Sequence, residues 1–206
     1  MRPDADDELE LLERWRGGDQ DAGRRLFEGN FPALFGFFRR RFPDGAEDLT
    51  QRTLLLCVEG QGRQRAGSTF RAFLFGIARN VALQEIEARA RQRRDDRDPA
   101  EVAEGGARPS EHMAQRADRR RLLRALRGLP VNDQILLELY HWEGLTGPEL
   151  AHVLGVPEAA LRSRIRRAVE RLRAAIAASG ADLGDGSSAD FDAWVRSIRG
   201  RVDGGE

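Results

Sequence analysis

Residues 145–173, LTGPELAHVLGVPEAALRSRIRRAVERLR, constrain the fold more than any other stretch of this sequence. Thr146 and Glu149 stand three residues apart before an apolar run, which is the spacing of a capping box at the start of a helix. Gly155 can adopt the positive φ that ends this helix sharply, and Pro157 suits the first turn of the next helix. The stretch therefore predicts two helices joined by a tight turn, a helix-turn-helix.

The second helix of this motif has two different faces. One face carries an apolar stripe at helical spacing, which predicts burial against a core. The stripe consists of Leu161, Ile165, Ala168 and Leu172. The opposite face consists of Arg162, Ser163, Arg166 and Arg167. Because arginine can fork onto guanine or clamp a phosphate, this face predicts a recognition helix in the major groove of DNA. An arginine face exposed only to water is the alternative.

The net charge of zero, from 34 basic and 34 acidic residues, does not exclude nucleic acid, because the charges are unevenly distributed. Residues 4–13 carry six acidic side chains, whereas residues 157–173 carry six arginines against two acids. Local patches of this kind determine nucleic-acid binding. The single cysteine, Cys57, excludes an internal disulfide and multi-cysteine zinc motifs. With no signal peptide and no bilayer-spanning apolar run, we expect a cytoplasmic protein without membrane insertion.

Apolar side chains at helical spacing predict helices along the amino-terminal half. The first helix ends at Gly17 and Gly18, and Asp19 can cap the next helix. The inner face of the first helix consists of Leu9, Leu12 and Trp15. An aromatic stripe follows, in which Pro32 is expected to kink the helix or begin a new segment. The stripe consists of Phe27, Phe31, Leu34, Phe35, Phe38 and Phe42.

Two further helices precede a linker. The first extends over residues 46–59, with Asp48 and Gln51 outside. Its expected inner side chains are Leu49, Thr53, Leu56 and Cys57. The second extends from Thr69 to about Arg94, with Ser68 as its expected cap. Residues 95–109 are rich in Gly, Pro and charge and have no apolar period, which predicts a linker.

The remaining helices complete an all-α prediction. Two helices, at about 111–127 and 131–142, lead into the helix-turn-helix, and no strand pattern or internal repeat occurs in the sequence. After residue 177 the composition predicts a flexible tail, in which Phe191, Trp194, Val195 and Ile198 fall on one face of a short helix. The fold class is therefore all-α, with two small helical domains joined by a flexible linker.

The order of these segments resembles an extracytoplasmic-function (ECF) sigma factor of bacterial RNA polymerase, over roughly residues 8–177. The segments that carry the resemblance are DGAEDLTQRTLL, STFRAFLFGIARNVAL and LRGLPVNDQILLELYHWEGLTGPELAHVLGVPEAALRSRIRRAVERLR. The resemblance implies that Asp48 and Gln51 lie on the polymerase-binding helix. It also implies that Arg79 and Asn80 lie on the helix that reads the minus-ten promoter element. The chain departs from the usual family pattern at Phe73, Gln84 and Pro148.

The resemblance also implies a division into domains. Residues 1–94 would bind core RNA polymerase and recognise the minus-ten element, and residues 95–109 would form the linker. Residues 110–177 would read the minus-thirty-five element of promoter DNA through the helix-turn-helix. Residues 178–206 lie outside the resemblance, and their composition alone predicts the flexible tail. An anti-sigma factor or another regulator is a possible further partner.

Other function classes lack supporting residues. His112, His141 and His152 are scattered without partner cysteines, so we expect no metal site. No phosphate-binding loop or nucleophile elbow occurs, and we expect neither a cofactor nor enzymatic activity. The alternative function is a free-standing helix-turn-helix regulator that acts without polymerase. Such a regulator usually needs a dimer with recognition helices about 34–36 Å apart, and no dimerisation seam is evident.

Overall fold

The computed structural model describes residues 5–61, 68–95, 122 and 124–178, which are mainly helical and contain no strand. The all-α prediction is confirmed for this part of the chain, whereas residues 96–121 and the tail from residue 179 lie outside it. No helix in the described part is both long and apolar enough to cross a membrane. The helices are α1 (Ala5–Arg16), α2 (Gln20–Arg41), α3 (Ala46–Glu59), α4 (Phe70–Asp95), α5 (Val131–His141), α6 (Gly147–Leu154) and α7 (Glu158–Ala178).

The described residues group into two compact units. Of these described residues, one unit combines 5–61, 68–85 and 138–162, and the other combines 86–95, 122, 124–137 and 163–178. Residues of both predicted domains thus contribute to the first unit. The domain boundaries drawn from the sequence remain a prediction.

An aromatic cluster joins α1, α2 and α4 in the first unit. The rings of Trp15, Phe27 and Phe70 meet edge to face, with centroids 5.3–5.7 Å apart. Edge-to-face contacts of this kind add to the stabilisation from apolar burial. Gly23 lies directly against Trp15, because a Cβ at this position would be 2.6 Å from Nε1 of the indole ring. The first unit therefore depends on close packing between α1 and α2.

The predicted caps and inner faces of α1 and α2 are partly correct. Asp19 caps α2, since its carboxylate accepts the backbone N–H of Ala22 at 3.0 Å. α2 is one continuous helix that contains Pro32, so no new segment begins there. Three predicted inner side chains were assigned to the wrong face. Leu9 is 55% exposed, Phe31 is 44% exposed and Leu56 of α3 is 37% exposed, whereas Leu11, Phe37 and Thr50 are buried.

α3 and α4 begin and end close to the predicted residues. α3 buries Leu49, Thr53 and Cys57, and burial raises the pKa of the Cys57 thiol to about 12. The cap of α4 is Thr69 rather than Ser68, because the Thr69 hydroxyl accepts the N–H of Ala72 at 3.1 Å. The helix accordingly begins one residue later than predicted, at Phe70.

The helix-turn-helix forms as the sequence predicts. Thr146 is the N-cap of α6 and forms a capping box with Glu149. Gly155 ends α6 in the left-handed conformation, with φ 63°. Pro157 immediately precedes α7. The apolar stripe of α7 is confirmed: Leu161, Ala168 and Leu172 are buried, and Ile165 is half-buried.

Candidate nucleic-acid interface

The predicted recognition face lies on the exposed side of α7. Arg162, Ser163, Arg166 and Arg167 are all exposed. The Nε of Arg167 donates to the carbonyl oxygen of Ser163 at 3.2 Å, and Arg166 pairs with Glu170 at 3.7 Å. Exposed ion pairs of this kind contribute little to stability, so the guanidiniums can exchange them for DNA. Burial of the opposite stripe fixes which side of the helix these residues present.

α7 carries a further exposed cation. Arg164 is exposed and was not among the predicted contact residues; because it is two residues from Arg162 and from Arg166, it points away from them around the helix. By contrast, Arg171 forms an ion pair with Asp133 of α5. The clustering of arginines in LRSRIRRAVERLR was the signal that could have identified Arg164. Arg171 thus offers a comparison with the arginines of the recognition face.

The predicted polymerase-binding residues share one exposed side of α3. Asp48 and Gln51 are both exposed and lie about one turn apart. Leu55 follows one turn later with 64% of its surface exposed, and Val58 is 53% exposed. These two apolar side chains were missed, because sequence periodicity does not show that neighbouring helices leave them uncovered. The exposed side of α3 therefore combines polar and apolar groups, as protein-binding surfaces commonly do.

Arg79 and Asn80 lie on α4 at the edge of a cleft of about 350 Å³. Arg79 is half-buried and Asn80 is exposed, and the guanidinium of Arg79 donates to Oδ1 of Asn80 at 3.4 Å. The α4 wall of the cleft also includes Ala72, Phe73, Gly76 and Ile77, and the opposite wall is formed by residues 152–155 at the end of α6. The predicted minus-ten residues therefore lie beside the first helix of the helix-turn-helix.

A cluster of buried charges connects α2 and α4 to the residues that precede α6. The side chains of the cluster are each less than a tenth exposed. They are Arg40, Arg41, Arg71, Glu138 and Glu143. Arg40 pairs with Glu143, and Arg41 pairs with Glu138 at 3.0 Å. We call these five side chains the ionic cluster.

Arg71 is the most extensively bonded member of the ionic cluster. Its guanidinium donates to the backbone oxygen of Glu143 at 2.6 Å and to Oδ1 of Asn30 at 3.1 Å. Its backbone N–H, in the first turn of α4, donates to the buried carboxylate of Glu8 at 3.2 Å. Buried charges need such partners, because an unpaired charge is costly to remove from water. Hydrogen bonds from Arg71 to α1, to α2 and to Glu143 therefore hold the start of α4 in place.

The pKa values of two carboxyl groups of this unit are shifted in opposite directions. Burial raises the pKa of Glu138 above its ordinary value, although Arg41 and then Arg40 oppose the shift. Burial also disfavours the ionised form of Glu149, but there the hydrogen bonds dominate and the pKa is lowered. The donors to Glu149 are the backbone N–H of Thr146, the Thr69 hydroxyl and the Thr146 hydroxyl.

A second polar contact links the two helix starts at Thr69 and Thr146. The Thr69 hydroxyl caps α4 and also donates to Oε1 of Glu149 at 2.7 Å. The other carboxylate oxygen of Glu149 accepts the Thr146 N–H at 2.8 Å. Trp142 is buried, and the guanidinium of Arg40 of α2 lies 5.4 Å from the centre of its ring. Residues 142–149 are therefore held against α2 and α4 by both ionic and neutral groups.

Glu149→Ala should lower the free energy of unfolding by about 1 kcal/mol, because it removes the acceptor of the capping box. The measurement is urea unfolding followed by circular dichroism, with exposed Glu59→Ala as the control. Since the folded-state pKa of Glu149 is lowered, its contribution is fully present above its ordinary value of 4.5 and is lost as the pH falls through the folded-state value. Equal stability of Glu149→Ala and wild type at neutral pH would contradict the capping role.

Two segments of this chain match models of known protein families, and these segments include the surfaces described above. Residues 26–92 match Sigma-70 region 2, and residues 119–172 match Sigma-70 region 4. The two ranges include every residue predicted to contact polymerase or DNA. The RNA polymerase sigma factor CarQ of Myxococcus xanthus is 34% identical over 170 residues, which cover 79% of this chain and 93% of CarQ. The ECF RNA polymerase sigma factor BldN of Streptomyces coelicolor is 30% identical, with coverage of 83% and 68%, respectively.

Two solved structures have a similar fold. The sigma factor RpoE of Bartonella quintana, in complex with the anti-sigma factor NepR, matches 74% of this chain and 95% of its own, with a TM-score of 0.58 and 26% identity. CnrH, in complex with the cytosolic domain of CnrY, matches 84% of this chain and 98% of its own, with a TM-score of 0.60. At 24% identity, CnrH supports the similarity of fold alone.

Proposed function

We propose a role for each exposed surface from one premise: this chain belongs to the ECF sigma factors of bacterial RNA polymerase. As a sigma factor, it binds core RNA polymerase and directs it to specific promoters. We place it in the cytoplasm with the polymerase and assign it no catalytic step of its own. A regulator that acts without polymerase would leave the match of residues 26–92 to region 2 unexplained.

α3 is the proposed contact with core polymerase. Asp48 and Gln51 supply the polar part of this surface, and Leu55 and Val58 supply apolar area that is already exposed. Desolvating exposed leucine and valine side chains against a partner favours association, while a carboxylate and an amide can select the partner through hydrogen bonds. Arg52 donates to Gln84 of α4 at 2.8 Å, which ties α3 to the helix assigned to the minus-ten element.

α4 is proposed to read the minus-ten element through Arg79 and Asn80. The amide of Asn80 is exposed and can donate to and accept from a base edge, while Arg79 can contact a phosphate. Phe73 offers a ring in the same cleft, and aromatic rings stack with unpaired bases. Packing within the protein is the competing role of Phe73, since its ring also lies beside Gly60.

α7 is proposed to read the minus-thirty-five element, and the observation that carries this proposal is its cationic face opposite a buried stripe. All four predicted contact residues are exposed on α7, so they can enter a major groove without any rearrangement of their own helix. The first helix of the motif, α6, would then cross the DNA backbone, as it does in helix-turn-helix proteins.

Alanine variants of Arg162, Arg166 and Arg167 should separate base contacts from phosphate contacts. Loss of a base contact should reduce discrimination against mismatched sites by about 1–3 kcal/mol. Loss of a phosphate contact should weaken binding to all sequences and reduce the salt slope by about one. Fluorescence anisotropy with duplexes selected from a randomised pool gives both quantities. Arg171→Ala is the matched control, because Arg171 pairs with Asp133 instead.

If the three variants bind every duplex as tightly as the Arg171→Ala control, the assignment of the recognition face is wrong. Core binding measured on the same proteins provides a separate reference, because α3 is unchanged in all of them.

We also propose that a protein regulator controls this sigma factor. The similar RpoE of Bartonella quintana was solved with an anti-sigma factor. The exposed apolar groups of α3 offer such a regulator a surface that it would share with polymerase. A regulator bound there would act by competition, and an excess of core enzyme would displace it.

A further inference from the structure

We infer that Gln84 is a further promoter-reading residue of this sigma factor, and that Arg52 positions its amide to present hydrogen-bond donors to a base. Gln84 lies on α4, about one turn beyond Asn80, and Arg52 lies on α3. The inference rests on the proposed function, in which α4 reads the minus-ten element. It adds one contact to that site and states which bases the contact selects.

Gln84 shares the exposed side of α4 that carries Asn80. Residues four positions apart in a helix lie on the same side, about 6 Å apart along the helix axis. Both side chains are exposed, and Gln84 lies beyond the cleft, whose α4 wall ends at Asn80. Successive base pairs of B-form DNA are about 3.4 Å apart. Gln84 can therefore reach a base about two positions away from the base that Asn80 contacts.

The course of the chain indicates the direction of this step. From Asn80, α4 continues through Gln84 towards its end at Asp95, and the chain then leads to the helix-turn-helix. Because α7 is assigned to the minus-thirty-five element, the carboxyl end of α4 should face the upstream side of the minus-ten element. Glu87, in the next turn, is exposed, and its negative charge disfavours close approach of phosphates. We therefore expect the reading face to end at Gln84.

Arg52 determines which end of the Gln84 amide points outward. Nη2 of Arg52 donates to Oε1 of Gln84 at 2.8 Å, and hydrogen bonds from a charged donor are stronger than neutral ones. A reversed amide would place its NH2 group against the guanidinium, so that two donors would face each other. The favoured orientation leaves Nε2 for another acceptor, and within the described residues no group accepts a hydrogen bond from it.

The amide of Asn80 is held less firmly than that of Gln84. Arg79 donates to Oδ1 of Asn80 at 3.4 Å, which is longer than the usual range of about 2.7–3.2 Å. Asn80 can therefore turn its amide to accept or to donate, whereas Gln84 presents donors only. This difference makes Gln84 the more selective of the two side chains.

An amide that presents only donors selects bases by their acceptors. In the major groove, guanine presents the acceptors N7 and O6, whereas cytosine presents only the N4 donor. Adenine presents an acceptor beside a donor, so an amide with both ends free reads it best. With its oxygen held by Arg52, Gln84 should favour guanine and reject cytosine on the strand that it faces. The preference should appear at one position near the upstream edge of the minus-ten element.

Transcription from a pool of promoter variants tests the inference. The template is a promoter that this sigma factor selects with core polymerase, with the base pairs at and just upstream of the minus-ten element randomised. Each template carries a barcode downstream of the start, so sequencing the transcripts gives the relative use of each base in a single reaction. Such ratios do not depend on the affinity for core polymerase, which a change in α3 can alter.

Wild type should favour guanine over cytosine by about tenfold at one of these positions, which is about 1.4 kcal/mol. Gln84→Ala should reduce this ratio to about twofold or less, because the donors are lost. Gln84→Glu should reverse the preference, because a carboxylate can accept from N4 of cytosine. The matched control is Gln92→Ala, which removes an exposed glutamine from the same helix and should keep the wild-type ratio.

Arg52→Ala tests the positioning role separately. Without the guanidinium, the amide of Gln84 can present both of its ends, so the preference at the same position should shift from guanine towards adenine. Arg52→Lys should retain guanine, because the contact is a single hydrogen bond that an ammonium group can also donate. A purely structural link between α3 and α4 would lower transcription from all promoters alike and leave the preferred base unchanged.

The inference would be overturned if wild type showed no such guanine preference, or if Gln84→Ala kept the wild-type ratios at every randomised position. A guanine preference that survives in Arg52→Ala would overturn the role of Arg52. Circular dichroism establishes that the variants fold, and if Gln84→Ala does not, Gln84→Glu decides the matter. Failure of wild type to start transcription at any specific promoter would instead contradict the proposed function, so the two failures are distinguishable.

Discussion

Gly23→Ala should destabilise the first unit by about 3 kcal/mol, the upper part of the range for overpacking a core. The new Cβ would lie 2.6 Å from Nε1 of Trp15 and closer still to Cδ1. Relief would require the indole ring to move, and that ring is held edge to face by Phe27 and Phe70. The expected result is a lower urea midpoint of unfolding. The slope of the free energy of unfolding against urea concentration should be unchanged.

Gly76→Ala is the matched control for this prediction. Gly76 also lies within a helix, but a Cβ there would meet nothing within 4 Å. Replacing a helical glycine with alanine should then stabilise the protein by about 0.5–1 kcal/mol. Equal midpoints for Gly23→Ala and wild type would show that α1 and α2 do not pack as closely as the structure indicates.

The double replacement Asp48→Ala/Gln51→Ala should reduce the affinity for core polymerase by about 30-fold or more, which corresponds to about 2 kcal/mol for a central interface position. Both side chains are exposed, so their loss should leave the fold intact. Asp48 lies in the first turn of α3, where a negative charge interacts favourably with the helix dipole. We therefore expect a small decrease in stability beside the large decrease in affinity.

The matched control is Gln20→Ala/Glu28→Ala, which removes an amide and a carboxylate from exposed positions of α2. Affinity is measured by titrating labelled protein with core enzyme. If the Asp48 and Gln51 variant binds core as tightly as this control, α3 is not the polymerase-binding helix. A Leu55→Ala protein extends the test to the apolar part of the same surface.

Local features of the chain were predictable because they depend on neighbours in sequence. The capping box of Thr146 with Glu149, the turn at Gly155 and the cap at Asp19 all involve groups within three or four residues of one another. Their side chains need no distant partner to adopt these conformations. The limits of α3 were also predicted to the residue, although its N-cap is Gly45, which makes no side-chain hydrogen bond, and not the expected pair of Asp44 and Glu47.

Side-chain burial was predicted less well where two sides of the same helix carry equally apolar residues. Leu9 and Leu11 are both leucines, and Phe31 and Phe37 are both phenylalanines, so periodicity alone does not decide which of each pair is inside. Packing against other helices buries Leu11 and Phe37. Leu9 and Phe31 lie on sides of α1 and α2 that the described part of the structure leaves largely uncovered.

The ionic cluster could not be derived from the sequence. Arg40 and Glu143 are separated by 103 residues, and an arginine at a helix end is ordinarily exposed. The run RRR at residues 39–41 and a glutamate within the apolar run ILLELY were weak signals, because neither identifies its partner. Only the packing of residues 138–149 against α2 and α4 brings these charges together.

Run-off transcription with core polymerase tests the central claim most directly. The template is a pool of bacterial promoter fragments, and the comparison is between core alone, this protein alone and both together. We predict new transcripts only when both are present, with shared sequences at the minus-ten and minus-thirty-five positions of each start. The claim would be contradicted if the protein bound specific DNA without polymerase and added no transcript start to those of core alone.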